Sequence, residues 1–281
     1  MRPLHILATV CLSLGSVLAV DQALYDSLVY HYKYATTAYG PCSSCAHPNG
    51  QTFINSFSNA KTNTHGYIAR DDKKQEFLVV FRGRMNANDN GTFNNKKLVP
   101  YVGSAGSHVH AGFYAAYNSV KDDIDKKLKL ATANSKYQFW GLTTVGHDTG
   151  GSLAVIAMLH LRNVFLDMHR TTWTYGQPRT GDLSFAFLVD QALGFSVHRV
   201  TYKDDGVPKS IPLNINTGYV HHPIEDWVKH NNASSTVQCR EYGDKVVGED
   251  EKCSLSTKPT TWNAAHENYF SINYKTSFCK K

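Results

Sequence analysis

Seven residues, Val145-Gly146-His147-Asp148-Thr149-Gly150-Gly151, constrain this chain more than any other stretch. A β-rich run from Tyr137 to Val145 leads into them, and an apolar run from Ser152 to Leu161 that reads as a helix follows. A strand, a glycine-framed tight turn and a helix are the context of a nucleophile elbow, G-x-S-x-G. Small residues are needed there because the turn is strained and the flanking strand and helix pack closely. Only the nucleophile departs from the pattern: Asp148 stands where it has serine.

The elements around the elbow alternate. Asp21 opens a helix to about Ala38, with Leu24, Leu28, Tyr32 and Tyr34 at helical spacing. Residues 40 to 62, rich in Gly, Ser, Pro and Asn, read as loop. His65 to Ala69 and Glu76 to Arg82 read as strands joined by the turn Asp71-Asp72-Lys73-Lys74. The run Phe77 to Phe81 is continuously apolar, as in a strand covered on both faces. A polar segment from 83 to 108 precedes a helix over Ala111 to Leu130, whose Phe113, Tyr117, Val120, Ile124 and Leu128 share one face. Beyond the elbow come a strand at Thr171 to Gly176, a helix from Asp182 to Leu193 and a strand at Val197 to Tyr202. This order predicts an α/β fold with a mainly parallel central sheet and helices on both faces. Ligands of such sheets lie beyond the carboxyl ends of the strands, where Asp148 and Asp205 fall. No repeat or linker interrupts the pattern, so residues 20 to 281 read as one domain.

Residues 1 to 19 carry Arg2, an apolar run from Ile6 to Leu18 and the small-residue site Val17-Leu18-Ala19, which together read as a secretory signal peptide. The run is shorter than the roughly 20 apolar residues of a membrane span, and no later stretch approaches that length. Loss of Arg2 lowers the formal charge from +6 to +5. The lysines are scattered among Asp and Glu, a solvated surface and not a nucleic-acid groove, although the balance is compatible with mild attraction to anionic surfaces. Cys42, Cys45, Cys239, Cys253 and Cys279 remain in an oxidising route, an odd number, and structural disulfides account for them better than a redox or zinc motif does. Asn90-Gly91-Thr92 and Asn232-Ala233-Ser234 are N-glycosylation acceptors, making Asn90 and Asn232 expected glycan sites. His108-Val109-His110 and His221-His222 supply only pairs of imidazoles, short of the three or four ligands of a zinc site, and nothing calls for a cofactor.

Further segments extend the elbow into a family pattern. Val79-Val80-Phe81-Arg82-Gly83 resembles the strand before the oxyanion loop of the class 3, or fungal-type, lipase family, which includes feruloyl esterases and secreted nematode lipases. Val109-His110-Ala111-Gly112-Phe113, Tyr175-Gly176-Gln177-Pro178-Arg179-Thr180-Gly181, Arg199-Val200-Thr201 with Asp204-Asp205-Gly206-Val207-Pro208, Tyr219-Val220-His221-His222 and Ala265-His266-Glu267-Asn268-Tyr269-Phe270 are similar to its later segments, in the same order. The resemblance covers about residues 65 to 275 and implies an α/β-hydrolase fold, secretion, and family activity on triacylglycerols and carboxylic esters. It puts the serine of the triad at Asp148, the acid at Asp205 and the histidine at His266, the chain order of α/β-hydrolases. The oxyanion positions fall on Arg84, where the family has Ser or Thr, and on Thr149. It also implies disulfides joining Cys42 or Cys45 to Cys279, and Cys239 to Cys253. The segment from Arg84 to His108 takes the place of the lid, but it is polar where lipase lids are amphipathic.

Acyl transfer in this frame needs a hydroxyl that His266 deprotonates and a pocket for the oxyanion. A carboxylate at 148 supplies no such proton and opposes the charge of the transition state. Loss of the nucleophile alone costs about 10⁶-fold in such triads, and loss of an oxyanion donor roughly 10²–10³-fold. The sequence therefore predicts a catalytically impaired relative that binds a lipid, an ester or a protein. Two alternatives stand beside it: an active ester hydrolase with a rearranged site, and an epoxide- or haloalkane-type hydrolase using Asp148 as nucleophile. Ser152, one helical turn past Asp148, reads as a packing residue and not as a displaced nucleophile.

Overall fold

A computed structural model describes residues 18–41, 44–216, 218–239 and 249–280. Nine strands form one sheet: β1 (Leu18–Ala19), β2 (Thr52–Asn59), β3 (Thr64–Asp71), β4 (Glu76–Phe81), β5 (Gly141–His147), β6 (His169–Tyr175), β7 (Val197–Tyr202), β8 (Glu225–Val228) and β9 (Thr236–Cys239), in the spatial order β1-β9-β8-β7-β6-β5-β4-β3-β2. The five strands from β4 to β8 run parallel. Both margins are antiparallel, so the parallel character expected from the sequence belongs to the centre. The chain is an α/β-hydrolase fold.

The apolar run of β4 divides between two layers. Phe77, Val79 and Phe81 pack with the helices α2 (Ala111–Asn118), α3 (Lys121–Ala131), α4 (Thr149–Leu161) and α5 (Leu183–Leu193). Leu78 and Val80 face α1 (Gln22–Thr37) on the other side, together with Val145, Tyr175, Val200 and the C-terminal Tyr269 and Phe270. Alternate side chains of a strand point to opposite faces, so a strand covered twice is apolar at every position. Polar caps set the helix starts: Asp21 accepts a hydrogen bond from the Leu24 amide at 2.7 Å, and Asp182 one from the Phe185 amide at 2.8 Å.

The structure corrects three local expectations and adds one pairing. The helix expected over Ala111 to Leu130 is two helices, because the Ser119 hydroxyl bonds back to Ala116 O and Val120 leaves helical geometry at φ −126°. Its shared apolar face survives the break, since Phe113, Tyr117, Val120, Ile124 and Leu128 are all buried in one cluster. The segment expected as loop from 40 to 62 contains β2, whose Ser and Asn residues mask an edge strand hydrogen-bonded on one side only. The strand before the elbow begins at Gly141 and not at Tyr137, which lies in a short 3-10 turn. Leu18–Ala19, the end of the expected signal peptide, pair with Val237 and Gln238 at the sheet margin.

Among the described residues two disulfides close the chain, Cys45–Cys279 and Cys239–Cys253. The bridge to Cys279 thus falls on Cys45, and Cys42 lies outside the described residues. The Cys45–Cys279 link spans 234 residues, and a cross-link over so long a loop restricts the unfolded chain strongly. Cys279→Ser is expected to lower unfolding free energy by about 2–4 kcal/mol, read as a lower urea midpoint with a steeper slope, because the unfolded chain freed of the cross-link exposes more surface.

Candidate active site

The elbow forms at the carboxyl end of β5. Asp148 takes φ 57° and ψ −133° between the strand and α4, a conformation that side-chain-bearing residues rarely adopt. The glycines beside it are obligatory. A Cβ on Gly146 would lie 2.1 Å from Gly150 O, and one on Gly150 would lie 2.4 Å from Phe81 O. α4 is buried along its whole length apart from His160, which explains its uniformly apolar sequence.

The three positions expected to form a triad, Asp148, Asp205 and His266, meet. Asp205 follows β7, and His266 lies in a short helix, Ala264–Glu267, near the C-terminus. His266 Nδ1 stands 2.9 and 3.1 Å from the two Asp205 carboxylate oxygens, an arrangement that fixes its proton on Nδ1. Asp205 is held in turn by the Tyr269 hydroxyl at 2.6 Å and the Val207 amide at 2.9 Å. Burial alone would push its carboxyl up, but the His266 charge and these hydrogen bonds outweigh that and hold it below the ordinary range.

Asp148 is committed to Arg84. Its Oδ1 accepts from Arg84 Nη2 at 2.7 Å and Nε at 3.2 Å, and its Oδ2 from Arg84 Nε at 2.9 Å and from the Arg84 backbone amide at 2.8 Å. Both side chains are buried. Burial by itself raises the Asp148 carboxyl, yet the Arg84 charge and hydrogen bonds prevail and keep it well below the carboxylate range. His266 Nε2 stands 3.6 Å from Asp148 Oδ1, too far for a hydrogen bond, and has no hydrogen-bond partner. The Asp148 side chain makes no capping bond to its own helix, so the first-turn amides of α4, Thr149 among them, do not hold the carboxylate.

Several residues outside the sequence-level site complete this clamp. The Arg84 guanidinium lies 4.3 Å from the Phe93 ring centroid and 5.2 Å from that of Trp262, a cation between two aromatic faces. Its Nη1 donates to Asn90 Oδ1 at 2.9 Å, so an expected glycan acceptor also orients the arginine. Asn90 Nδ2 donates to Ala87 O at 2.8 Å, while the second acceptor, Asn232, is exposed at the short turn Ala233–Ser235 that leads into β9. His147 Nδ1 pairs with the Tyr39 hydroxyl at 2.8 Å, its Nε2 with His266 O at 3.0 Å, and its ring stacks on His266 at 4.4 Å. Burial, reinforced by His266, lowers the His147 pKa to about 3, so it stays neutral and acts as a rigid prop. The only signal in sequence was the aromatic and histidine enrichment around positions 262 to 274 and at the elbow.

The remaining candidates have local roles. Ser152 Oγ donates to Pro178 O at 3.3 Å and receives the Thr180 hydroxyl at 3.0 Å, on the side of α4 that packs against the segment after β6. His108 pairs with Asp182 at 2.8 Å, and His110 stacks on Phe113 at 3.7 Å. His221 meets Pro208 O at 2.9 Å and His222 meets Gln177 Oε1 at 3.3 Å, so these pairs point to separate partners. The polar segment after Arg84 is tied down: Asp89 accepts from the Met85 amide at 3.0 Å and from Asn63, and Phe93 is buried in the main core. A small cavity of about 30 Å³ lies beside the clamp, lined in part by Arg84, Thr149 and Leu153.

The family described as lipase (class 3) matches residues 78–215. The chain is 30% identical over 262 residues to secreted mono- and diacylglycerol lipase A of Penicillium cyclopium, covering 88% of this chain and 81% of that protein. It is 29% identical over 274 residues to a lipase of Rhizopus niveus, covering 92% of this chain and 67% of that protein. The crystal structure of the lipase from Rhizopus microsporus var. chinensis matches with a TM-score of 0.81 at 28% identity, over 92% of this chain and 91% of that one.

Proposed function

The chain belongs to the class 3 lipase family, and from that premise we propose that it is a secreted, non-hydrolytic member that acts by binding a lipid, an ester or a protein. One observation carries the reading: both carboxylate oxygens of Asp148, at the nucleophile position, are occupied by Arg84. The ion pair fills the space where a serine hydroxyl and an oxyanion would lie. A carboxylate gives His266 no proton to remove, and the buried guanidinium takes the place of a small hydroxyl donor. The curated relatives are lipases by name, so triacylglycerols, diacylglycerols and simple esters are the ligands to try first.

The Asp205–His266 pair, intact at 2.9 Å, favours a second reading in which some ester hydrolysis survives. An aspartyl-nucleophile mechanism needs an Asp148 oxygen free to attack carbon, and the Arg84 hydrogen bonds oppose it. Purified protein is expected to turn over short p-nitrophenyl esters no faster than its Asp148→Ala variant, and epoxides in ¹⁸O-water are expected to leave no label on the Asp148 peptide. Ester turnover that Asp148→Ala abolishes would overturn the proposal. Mass spectrometry of lipids co-purifying with the secreted protein identifies the ligand class.

A further inference from the structure

The edge of the sheet opposite the triad carries a row of exposed apolar side chains. The parallel strands β5, β6 and β7 begin there, with Phe139 two residues before β5, Leu166 three before β6 and Phe195 two before β7. Leu130 reaches the same edge at the end of α3. These side chains are 69, 71, 63 and 70% exposed, in that order, and among the described residues the other exposed large apolar side chains are Val102 and Phe187. The segments before β5 and β6 and the turn before β4 are tied together: Gln138 Nε2 donates to Asp167 at 3.1 Å, the His169 amide to Trp140 O at 3.2 Å, and the Gly141 amide to Gln75 O at 2.7 Å; the loop before β7 is set beside them by the pairing of Val197 with Thr172. Adjacent strands lie about 4.8 Å apart, so the three loops present their apolar tips side by side.

The same segments concentrate positive charge. Lys73 and Lys74 lie in the turn before β4, Lys129 at the end of α3, Lys136 beside Phe139, and Arg162 and Arg170 around Leu166. The exposed carboxylates of these segments are Asp72, which is paired with Arg70, and Asp167, which accepts from Gln138; Asp71 and Glu76 are buried. All four lysines are exposed.

We propose that this edge docks the protein on an anionic lipid bilayer. Apolar tips that protrude need no shaped pocket; the boundary between headgroups and acyl chains receives them, and flanking lysines gain from the negative headgroups. A second copy of the chain is the poorer occupant, because a two-fold contact would set these cations against their own images. The inference is independent of the reading of the Asp148 site, since no residue of the edge belongs to the triad or its clamp. Docked in this way, the molecule turns the Asp148–Arg84 end away from the bilayer.

The test is vesicle co-sedimentation of the full secreted protein with phosphatidylserine/phosphatidylcholine vesicles and with phosphatidylcholine alone. Binding to the anionic vesicles is expected, and Phe139→Ser/Leu166→Ser should weaken it at least about tenfold. Lys129→Gln/Lys136→Gln should weaken it at low salt, with the difference shrinking as salt rises. Val102→Ser serves as the control and leaves binding unchanged. The serine substitutions fall on exposed positions, and unchanged urea midpoints confirm folding. Wild-type binding by Phe139→Ser/Leu166→Ser, or equal affinity for neutral vesicles, overturns the proposal. So does a concentration-dependent dimer that the same two substitutions abolish while vesicle binding persists.

Discussion

Asp148→Ser introduced alone is expected to leave the protein without appreciable esterase activity, whereas Asp148→Ser/Arg84→Ser should hydrolyse p-nitrophenyl acetate at least about 10³-fold faster than the parent. The double variant restores a hydroxyl at each of the two departing positions. His266 is already oriented by Asp205 at 2.9 Å, and its Nε2, 3.6 Å from the Asp148 carboxylate, faces the space that a serine hydroxyl would enter. The single variant fails for an electrostatic reason. It leaves the Arg84 guanidinium, only 8% exposed, between Phe93 and Trp262 without its counter-charge. A cation so close opposes the imidazolium that must form as His266 takes the serine proton. The comparison of kcat for the two variants decides it, and equal activity in both would show that Arg84 does not block the site.

The second large effect is on stability. Arg84→Met should destabilise the fold by about 3–5 kcal/mol at pH 7, because it strands a fully buried carboxylate. Adding Asp148→Asn to it should recover most of the loss, since the pair is then replaced by neutral groups. The pH dependence has a definite sign. In the parent, the folded Asp148 carboxyl lies below its unfolded value of about 3.9. The pair's contribution is therefore fully present above about pH 4 and is lost as the pH falls below that. In Arg84→Met the shift reverses, as burial without a cation raises the carboxyl. Acidification then relieves the variant, so the gap between variant and parent should be widest at neutral pH and narrow on the acid side. Urea unfolding at a series of pH values measures this; a gap that widens on acidification would contradict the assignment of the clamp.

Much of the fold was legible because it rests on short-range rules. The side-to-side alternation along β4, the Asp21 and Asp182 caps and the tight turn that needs Gly146 all act between positions close in sequence. The edge strand β2 was not, because a strand bonded on one side and wetted on the other tolerates Ser and Asn, and its pattern resembles a loop. The break at Ser119 was missed for a related reason: the apolar face of α2 and α3 continues across it, so periodicity alone does not reveal the bend.

The sequence by itself pointed to a strand–turn–helix elbow with Asp148 at its tip, and its resemblance to the family implied that Arg84, three positions past β4, stands where a hydroxyl residue is expected. An ion pair of Asp148 with Arg84 or with His266 was to be expected, but which of the two, and how an arginine 64 positions away reaches it, was not settled there. The tertiary structure decided that through strand register. β4 and β5 run parallel with Phe81 opposite Gly146, which sets Arg84 and Asp148 side by side just beyond the strand ends. The segment just after Arg84 folds back to set Asn90 and Phe93 on the arginine, the distant C-terminal region adds Trp262, and the fold selects Cys45 for the bridge to Cys279. A cation and a carboxylate forced into one dry space satisfy each other, because every alternative leaves a buried charge alone.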